Sequence, residues 1–473
     1  MYKFSLLAVA LILCTSSTLA IAQESEEDEK PQSSWLKLSA SEKEDVEQYA
    51  TDYKQFMESA KTELQFVAET IRRVEAAGFE PLTDTSTLTP GARFYDNNRD
   101  RAIALIVVGT DDLQNGFRVT GAHIDSPRIE LKGRALYDKE DFALFQTNYH
   151  GGIKNYQWTS IPLALVGRID KKDGSTEIIS IGNDPGDPIF IIPELSPHVD
   201  GDLRDRTNRD VIAAEELDPI VGHIPGEDGV KQIVIDYLQS AYGATLDDLV
   251  SAELSLVPAY PPRDVGFDRG LMAIYGQDDR VSGYAAVRAI MDVDTPAQTA
   301  IAYLVDNEEV GNVNNTGASS TYLVDLMGRL LYAQLGDDYN EHLLRRARRA
   351  TKAISSDVNP GINPIWPSVW ESGNAPRLGH GVNFKLYGRG FNANSEYTAW
   401  IRNVLDEVGV PWQVATYKVG KGGGGTIGGE LSDDNMEVID FGIPLLSIHT
   451  PYSISSKVDV YWLYRALHAF YVK

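Results

Sequence analysis

Apolar residues return at steps of three and four through Val46, Tyr49, Tyr53, Phe56, Ala60, Leu64, Val67, Ile71 and Val74, then stop before Gly78. That period predicts one long amphipathic helix packed on a core. Ser41 and Glu44 stand three apart at its start, the spacing of a capping box. Shorter runs follow. Residues 102–108 are continuously apolar, Asn115-Gly116 marks a turn, and residues 117–122 form a second run leading into His123. From about Pro127 to Asp264, β-branched runs at 163–166, 178–181 and 189–192 alternate with breaks rich in Gly, Pro and Asp. Beyond about Leu271 helical patterns alternate with apolar strands at 299–305, 352–356 and 444–448. The texture predicts an α/β domain formed by both ends of the chain, with a strand-rich insertion between them.

Composition adds outline. Of 473 residues, 43% are hydrophobic and 23% charged, a globular balance with room for two or three domains at roughly 100–200 residues each. The formal charge of −25 argues against nucleic acid and anionic membrane as partners, since both repel such a surface. Near the start, Lys3 precedes an apolar run over residues 4–14, and Ala20-Ile21-Ala22 has the small-x-small form of a signal-peptidase site. Residues 1–22 are therefore expected to be a signal peptide, and the product exported, periplasmic or secreted. The run is shorter than the ~20 residues a membrane span needs. Leu13 stands where a lipoprotein signal carries a small residue, so cleavage rather than lipidation of Cys14, the single cysteine, is expected. Residues 23–31 read as a charged leader.

Candidate chemistry collects where strands end. His123 and Asp125 close a strand, at the edge where α/β sheets build their sites. Residues two apart on an extended segment face the same side, and a metal-bound imidazole gains a fixed tautomer from a carboxylate behind it. Asp278-Asp279 opens a helix, where a carboxylate pair can also serve as a cap. Glu308 and Glu309 closely follow the run ending at Val305, and ionised carboxylates near a core are costly unless paired or holding a metal. Asp357 and His449 each follow an apolar run as well. Hard carboxylates with imidazoles suit zinc, manganese or cobalt. The set is large enough for two ions sharing one carboxylate, an arrangement for hydrolysis. The remaining histidines, at 150, 198, 223, 342, 380 and 468, have no such context by pattern. The glycine-rich stretch 422–428 lacks the Lys and Ser/Thr of a phosphate loop.

In chain order, GAHIDSP at 121, DDRVSGYAA at 278, DNEEVG at 306, SSDVNP at 355, GGGGTIGG at 422 and PLLSIHTPYS at 444 resemble the motifs of the M18 metallopeptidases, the aspartyl-aminopeptidase-like enzymes. The resemblance implies a three-layer α/β/α metallopeptidase domain, residues 23–126 plus 265–473, with an inserted, mainly β dimerisation domain over 127–264. It implies a zinc aminopeptidase acting on peptides, with two ions per subunit. His123 and Asp357 would hold one ion and Glu309 and His449 the other, with Asp278 bridging both. Glu308 would be the general base on a water between the metals, and Asp125 would orient His123. Gly425, Thr426 and Lys385 would line the substrate pocket, the lysine meeting an acidic side chain. His198 would reach the active site of a neighbouring subunit, so the resemblance also implies a homo-oligomer, a dimer or a dodecamer.

The chain departs from the family pattern at residues 158–163, at Pro360, where a pocket histidine is common, and at Gly429, where proline is usual. These departures touch specificity and leave the metal and base positions intact. Two other readings use the same residues: a metal-dependent amidase or deacylase of N-acyl amino acids, and an inactive scaffold. Intact Glu308 argues against the scaffold.

Overall fold

Ser39 rather than Ser41 caps the first long helix. The computed structural model of the protein describes residues 32–388 and 391–473. The expected signal peptide, Cys14 and the charged leader lie outside them. The Ser39 hydroxyl accepts from the Glu42 N–H, and the Glu42 carboxylate accepts the Ser39 N–H at 2.8 Å, starting helix Ala40–Ser59. Ser-x-x-Glu occurs twice in overlapping registers, and the earlier one closes.

The one long helix expected is in fact two. Ala60 leaves helical geometry, and Thr62 caps a second helix, Glu63–Ala76, by accepting from the Gln65 N–H. Lys61 pins the break: its ammonium donates to Asn183 Oδ1 at 2.8 Å and to the Pro258 carbonyl at 3.0 Å. The apolar period runs on because both helices lay their stripes on one core.

Among the described residues, nine strands form the central sheet. Across it they run Glu80–Pro81, Arg93–Asn98, Ala102–Val107, Ala300–Val305, Arg118–His123, Lys352–Ser356, Glu437–Gly442, Val382–Lys385 and Trp412–Val414. The four from Ala300–Val305 to Glu437–Gly442 are mutually parallel, and such strands are covered on both faces. Side-chain alternation accomplishes this. Ile103, Leu105, Ala302 and Leu304 enter one core with helices Gln277–Met291 and Lys457–Val472. Ala104, Ile106, Ile301 and Tyr303 enter the other, against Tyr322–Leu335 and Glu341–Ala350. The result is a three-layer α/β/α arrangement.

A second, antiparallel sheet lies between Arg128 and Pro258. Its order is Thr176–Ile181, Leu163–Asp170, Ala252–Pro258, Arg128–Lys139, Phe142–His150 and Ile220–Gly222. It has a core of its own around Trp158, Leu165, Val166 and Leu256. Residues 189–192 form no strand; Phe190 and Ile191 make single bridges to Leu163 and Ile220. The run expected as a strand over 444–448 is a strand only at Pro444–Leu445, with a single bridge from Leu446 to Ile454. Ser447 and His449 take φ of 59° and 61°, left-handed values that end the strand and turn His449 out of it. Ser33–Lys473 form one compact unit. Among the described residues no helix is long and apolar enough to cross a membrane.

Candidate metal centre and active site

Strand register brings the first groups together. His123 ends its strand directly opposite Val305, so the chain carrying Glu308 and Glu309 leaves the sheet beside it. Asp357 follows Ser356 at the same edge. Parallel strands release their chains there into loops, which is where side chains can converge. Asp278 and Asp279 arrive from another direction. They open Gln277–Met291 behind Gly276, both with non-helical dihedrals, and the peptide between them is cis.

Asp278 stands between the two imidazoles. Its Oδ1 lies 3.3 Å from His123 Nε2 and its Oδ2 3.1 Å from His449 Nε2. Glu309 Oε1 is 3.3 Å from His449 Nε2, and Glu308 Oε2 is 3.9 Å from His123 Nε2. Among the described residues, two groups of possible ligands lie within 4.8 Å: His123 with Asp279 and Asp357, and His123 with Asp278 and Glu309. Asp279 was not foreseen as a member of the cluster.

The electrostatics are those of crowded acids. Burial raises Glu309 and Asp279 well above the usual carboxylate range, with Asp278 adding to both and Asp357 to Asp279. Burial also raises Asp357, and with the neighbouring carboxylates it pushes Glu308 up to about 7. Asp278 moves the other way: burial opposes its charge, but hydrogen bonds from His123 and His449 outweigh it. Both Asp279 oxygens and Glu309 Oε1 are buried without a hydrogen-bond partner among the described residues. Such oxygens are costly, and a hard divalent cation would satisfy them. Imidazoles and carboxylates without thiolate fit zinc.

Asp125, 0% exposed, organises the cluster from behind. Its Oδ1 accepts from His123 Nδ1 at 3.2 Å and from the Glu308 N–H at 3.1 Å. Its Oδ2 accepts from His150 Nε2 at 2.7 Å and from the Glu309 N–H at 3.2 Å. Burial opposes the charge, yet the two histidines hold this carboxyl far below its usual range. Asp306 shapes the turn that aims those two N–H groups. It accepts the Asn307 N–H at 2.8 Å, and Asn307 takes φ of 63°. Sequence reasoning assigned Asp125 to His123 alone and passed over His150. No local pattern marks His150, because it ends a strand of the other sheet.

A cleft of about 1300 Å³ opens over the cluster, lined by Asp278, Glu308, Glu309, Asp357 and His449, and also by Lys385, Gly425 and Thr426. At Gly425 a Cβ would stand 3.5 Å from Glu308 Oε1. Thr426 Oγ1 donates to Asp440 Oδ2 at 2.8 Å. Lys385 is buried, with Nζ 3.5 Å from Asp357 Oδ2. Burial disfavours its charge, but Asp357 and Asp440 keep it protonated, so the lysine reaches the cleft wall already paired. His198 lies on an exposed turn and does not line this cleft.

A family model described as aminopeptidase I zinc metalloprotease (M18) matches residues 56–471. The chain belongs to the M18 family. A Probable M18 family aminopeptidase 1 of Thermotoga maritima is 41% identical over 435 residues, 90% of this chain and 95% of the relative. A crystal structure of an M18 aminopeptidase from Thermotoga maritima matches with a TM-score of 0.90 at 39% identity, covering 94% of this chain and 99% of that one. The fold alone is shared with S. cerevisiae mApe1, solved as a dodecamer, at a TM-score of 0.73 and 21% identity over 89% of this chain and 95% of that one. This M18 protein is a metalloaminopeptidase, a hydrolase of a zinc metalloprotease family.

Proposed function

We propose that this M18 protein is a dinuclear zinc aminopeptidase with Glu308 as general base. The observation that carries the reading is Asp278, whose two oxygens lie 3.3 Å and 3.1 Å from the Nε2 atoms of separate histidines. A carboxylate so placed would bridge two ions, with His123 and Asp357 on one side and His449 and Glu309 on the other. Each imidazole has its Nδ1 engaged elsewhere, by Asp125 and by the Gly152 carbonyl at 2.8 Å, so Nε2 is the free ligand atom on both. Bound zinc would supply Lewis acidity toward the peptide carbonyl and lower the pKa of water. Glu308 takes a proton from the attacking water and hands it to the leaving amine. Asp125 holds the Glu308 backbone, and with it the starting point of that side chain. The substrate is a peptide whose free amino terminus meets this acidic cluster, which confines cleavage to chain ends.

The amidase and scaffold readings draw no support from the relatives above, which are named as aminopeptidases. The inserted sheet is proposed as the element of a homo-oligomer, consistent with exposed Ile178, Leu195 and Val199 in this region and with the dodecamer of the yeast relative. His198 is exposed and so free to reach a neighbouring subunit. Export remains the reading of Lys3, the apolar run 4–14 and Ala20-Ile21-Ala22. Pro360, on the cleft wall, marks a branch with its own preference for the N-terminal residue.

Aminoacyl-anilide hydrolysis tests the mechanism. Glu308→Gln is expected to keep its zinc and lose about 10²- to 10⁴-fold in kcat. A chelator is expected to abolish activity, and added zinc to restore it. Chelator-insensitive activity, or a fully active Glu308→Gln enzyme, refutes the proposal.

A further inference from the structure

We infer that the corner His150-Gly151-Gly152, where a strand of the inserted sheet ends, is the positioning element for both imidazole ligands; the inference rests on the two-zinc reading above. Three consecutive residues each support a different ligand. His150 Nε2 donates to Asp125 Oδ2 at 2.7 Å, and Asp125 in turn accepts from His123 Nδ1. Gly152 offers its carbonyl to His449 Nδ1 at 2.8 Å. Gly151 packs against Glu309: a Cβ there would stand 3.0 Å from Glu309 Cβ and 3.1 Å from its Oε2. Its φ of 72° also favours glycine.

The corner is itself held. His150 is buried, and its Nδ1 lies 3.5 Å from Glu130 Oε1. Arg128 pairs with Glu130 and Glu63, both at 3.0 Å. The ring is therefore clamped between Asp125 and an ion-pair chain that passes through its own sheet to Glu63 on helix Glu63–Ala76. An outer partner of this kind fixes the tautomer and orientation of a metal-binding imidazole, and its loss costs metal affinity. His150 lies behind Asp125 and acts through it, so its role is positioning. The inserted sheet thus belongs to the metal centre through one side chain, one carbonyl and one missing Cβ.

Zinc titration of the chelator-stripped protein against a chromophoric competitor reads the two sites as two steps. His150→Leu removes the donor and is expected to weaken one step about 10- to 100-fold while the other stays within about twofold. Its kcat is expected to fall at nearly constant KM. His150→Gln, which keeps a donor, is expected to stay close to wild type in both steps. Gly151→Ala is expected to weaken the opposite step. A merely structural role would lower both steps together, in proportion to lost stability. Two wild-type steps in His150→Leu, a joint loss in both steps, or a tenfold loss in folded His150→Gln overturns the inference. Wild-type protein that takes up one zinc or none overturns the two-zinc reading and the inference with it.

Discussion

Asp125→Asn keeps the shape of the side chain and removes an acceptor on which four donors converge. The amide nitrogen must face one of two pairs. Placed at Oδ1, it meets His123 Nδ1 and the Glu308 N–H. The imidazole can fall back on the Asp125 carbonyl, 3.1 Å away, which strands the Glu308 N–H. Placed at Oδ2, it meets His150 Nε2 and the Glu309 N–H. His150 can release the Nε2 proton and keep the one that faces Glu130 Oε1, 3.5 Å away, which strands the Glu309 N–H. Either way one buried donor loses its partner, at a cost of about 1–3 kcal/mol. Two further bonds lose their charge assistance, about 1 kcal/mol each. Water cannot compensate, since Asp125 is fully buried. The expected loss is therefore about 3–5 kcal/mol in zinc-free protein, read from urea unfolding. Zinc affinity is expected to fall about 10- to 100-fold in competition with a chelator. A variant within about 1 kcal/mol of wild type that also binds zinc normally would show that Asp125 does not organise the cluster.

Lys61 makes stability depend on pH. Burial lowers its pKa to about 8, below the unfolded value, so between pH 8 and about 10.5 the unfolded chain holds a proton the folded chain has released. Stability from this group therefore rises with pH across that window, and wild type should gain on Lys61→Met by up to about 3 kcal/mol; an unchanged difference between pH 7 and 10.5 would contradict this. Lys385→Met leaves Asp357 and Asp440 without their shared cation, an expected loss of about 3 kcal/mol in zinc-free protein that added zinc partly restores. Thermal unfolding with and without zinc checks it, and equal losses in both conditions would mean that Asp357 gains nothing from the metal.

Most of the cluster was legible because each member sits at the end of an apolar run or the opening of a helix. His123, the Glu308–Glu309 pair and Asp357 could be placed at one edge before any contact was known. Features that depend on distant partners were not legible. The helix break at Ala60 is invisible in the period, since Lys61 answers to Asn183 and Pro258. Ser39 and Ser41 offered equal capping registers, and only closure distinguished them. The run at 444–448 is apolar enough for a strand, but positive φ at Ser447 and His449 cuts it short. Lys385 read as a free pocket cation because nothing local reveals that Asp357 and Asp440 flank it.

By itself the sequence determined the α/β class with its strand-rich insertion, the strand-end positions and the kind of chemistry. Those follow from local alternation and from the cost of placing charge beside an apolar run. Tertiary structure decided which groups touch. It set one Asp278 oxygen toward each histidine, gathered four donors onto Asp125, and brought the His150–Gly152 corner of one sheet against ligands carried by the other. The physical reason is range. Periodicity records how a residue faces its own element, whereas a hydrogen bond needs atoms about 3 Å apart, and that proximity is fixed only when separate sheets pack.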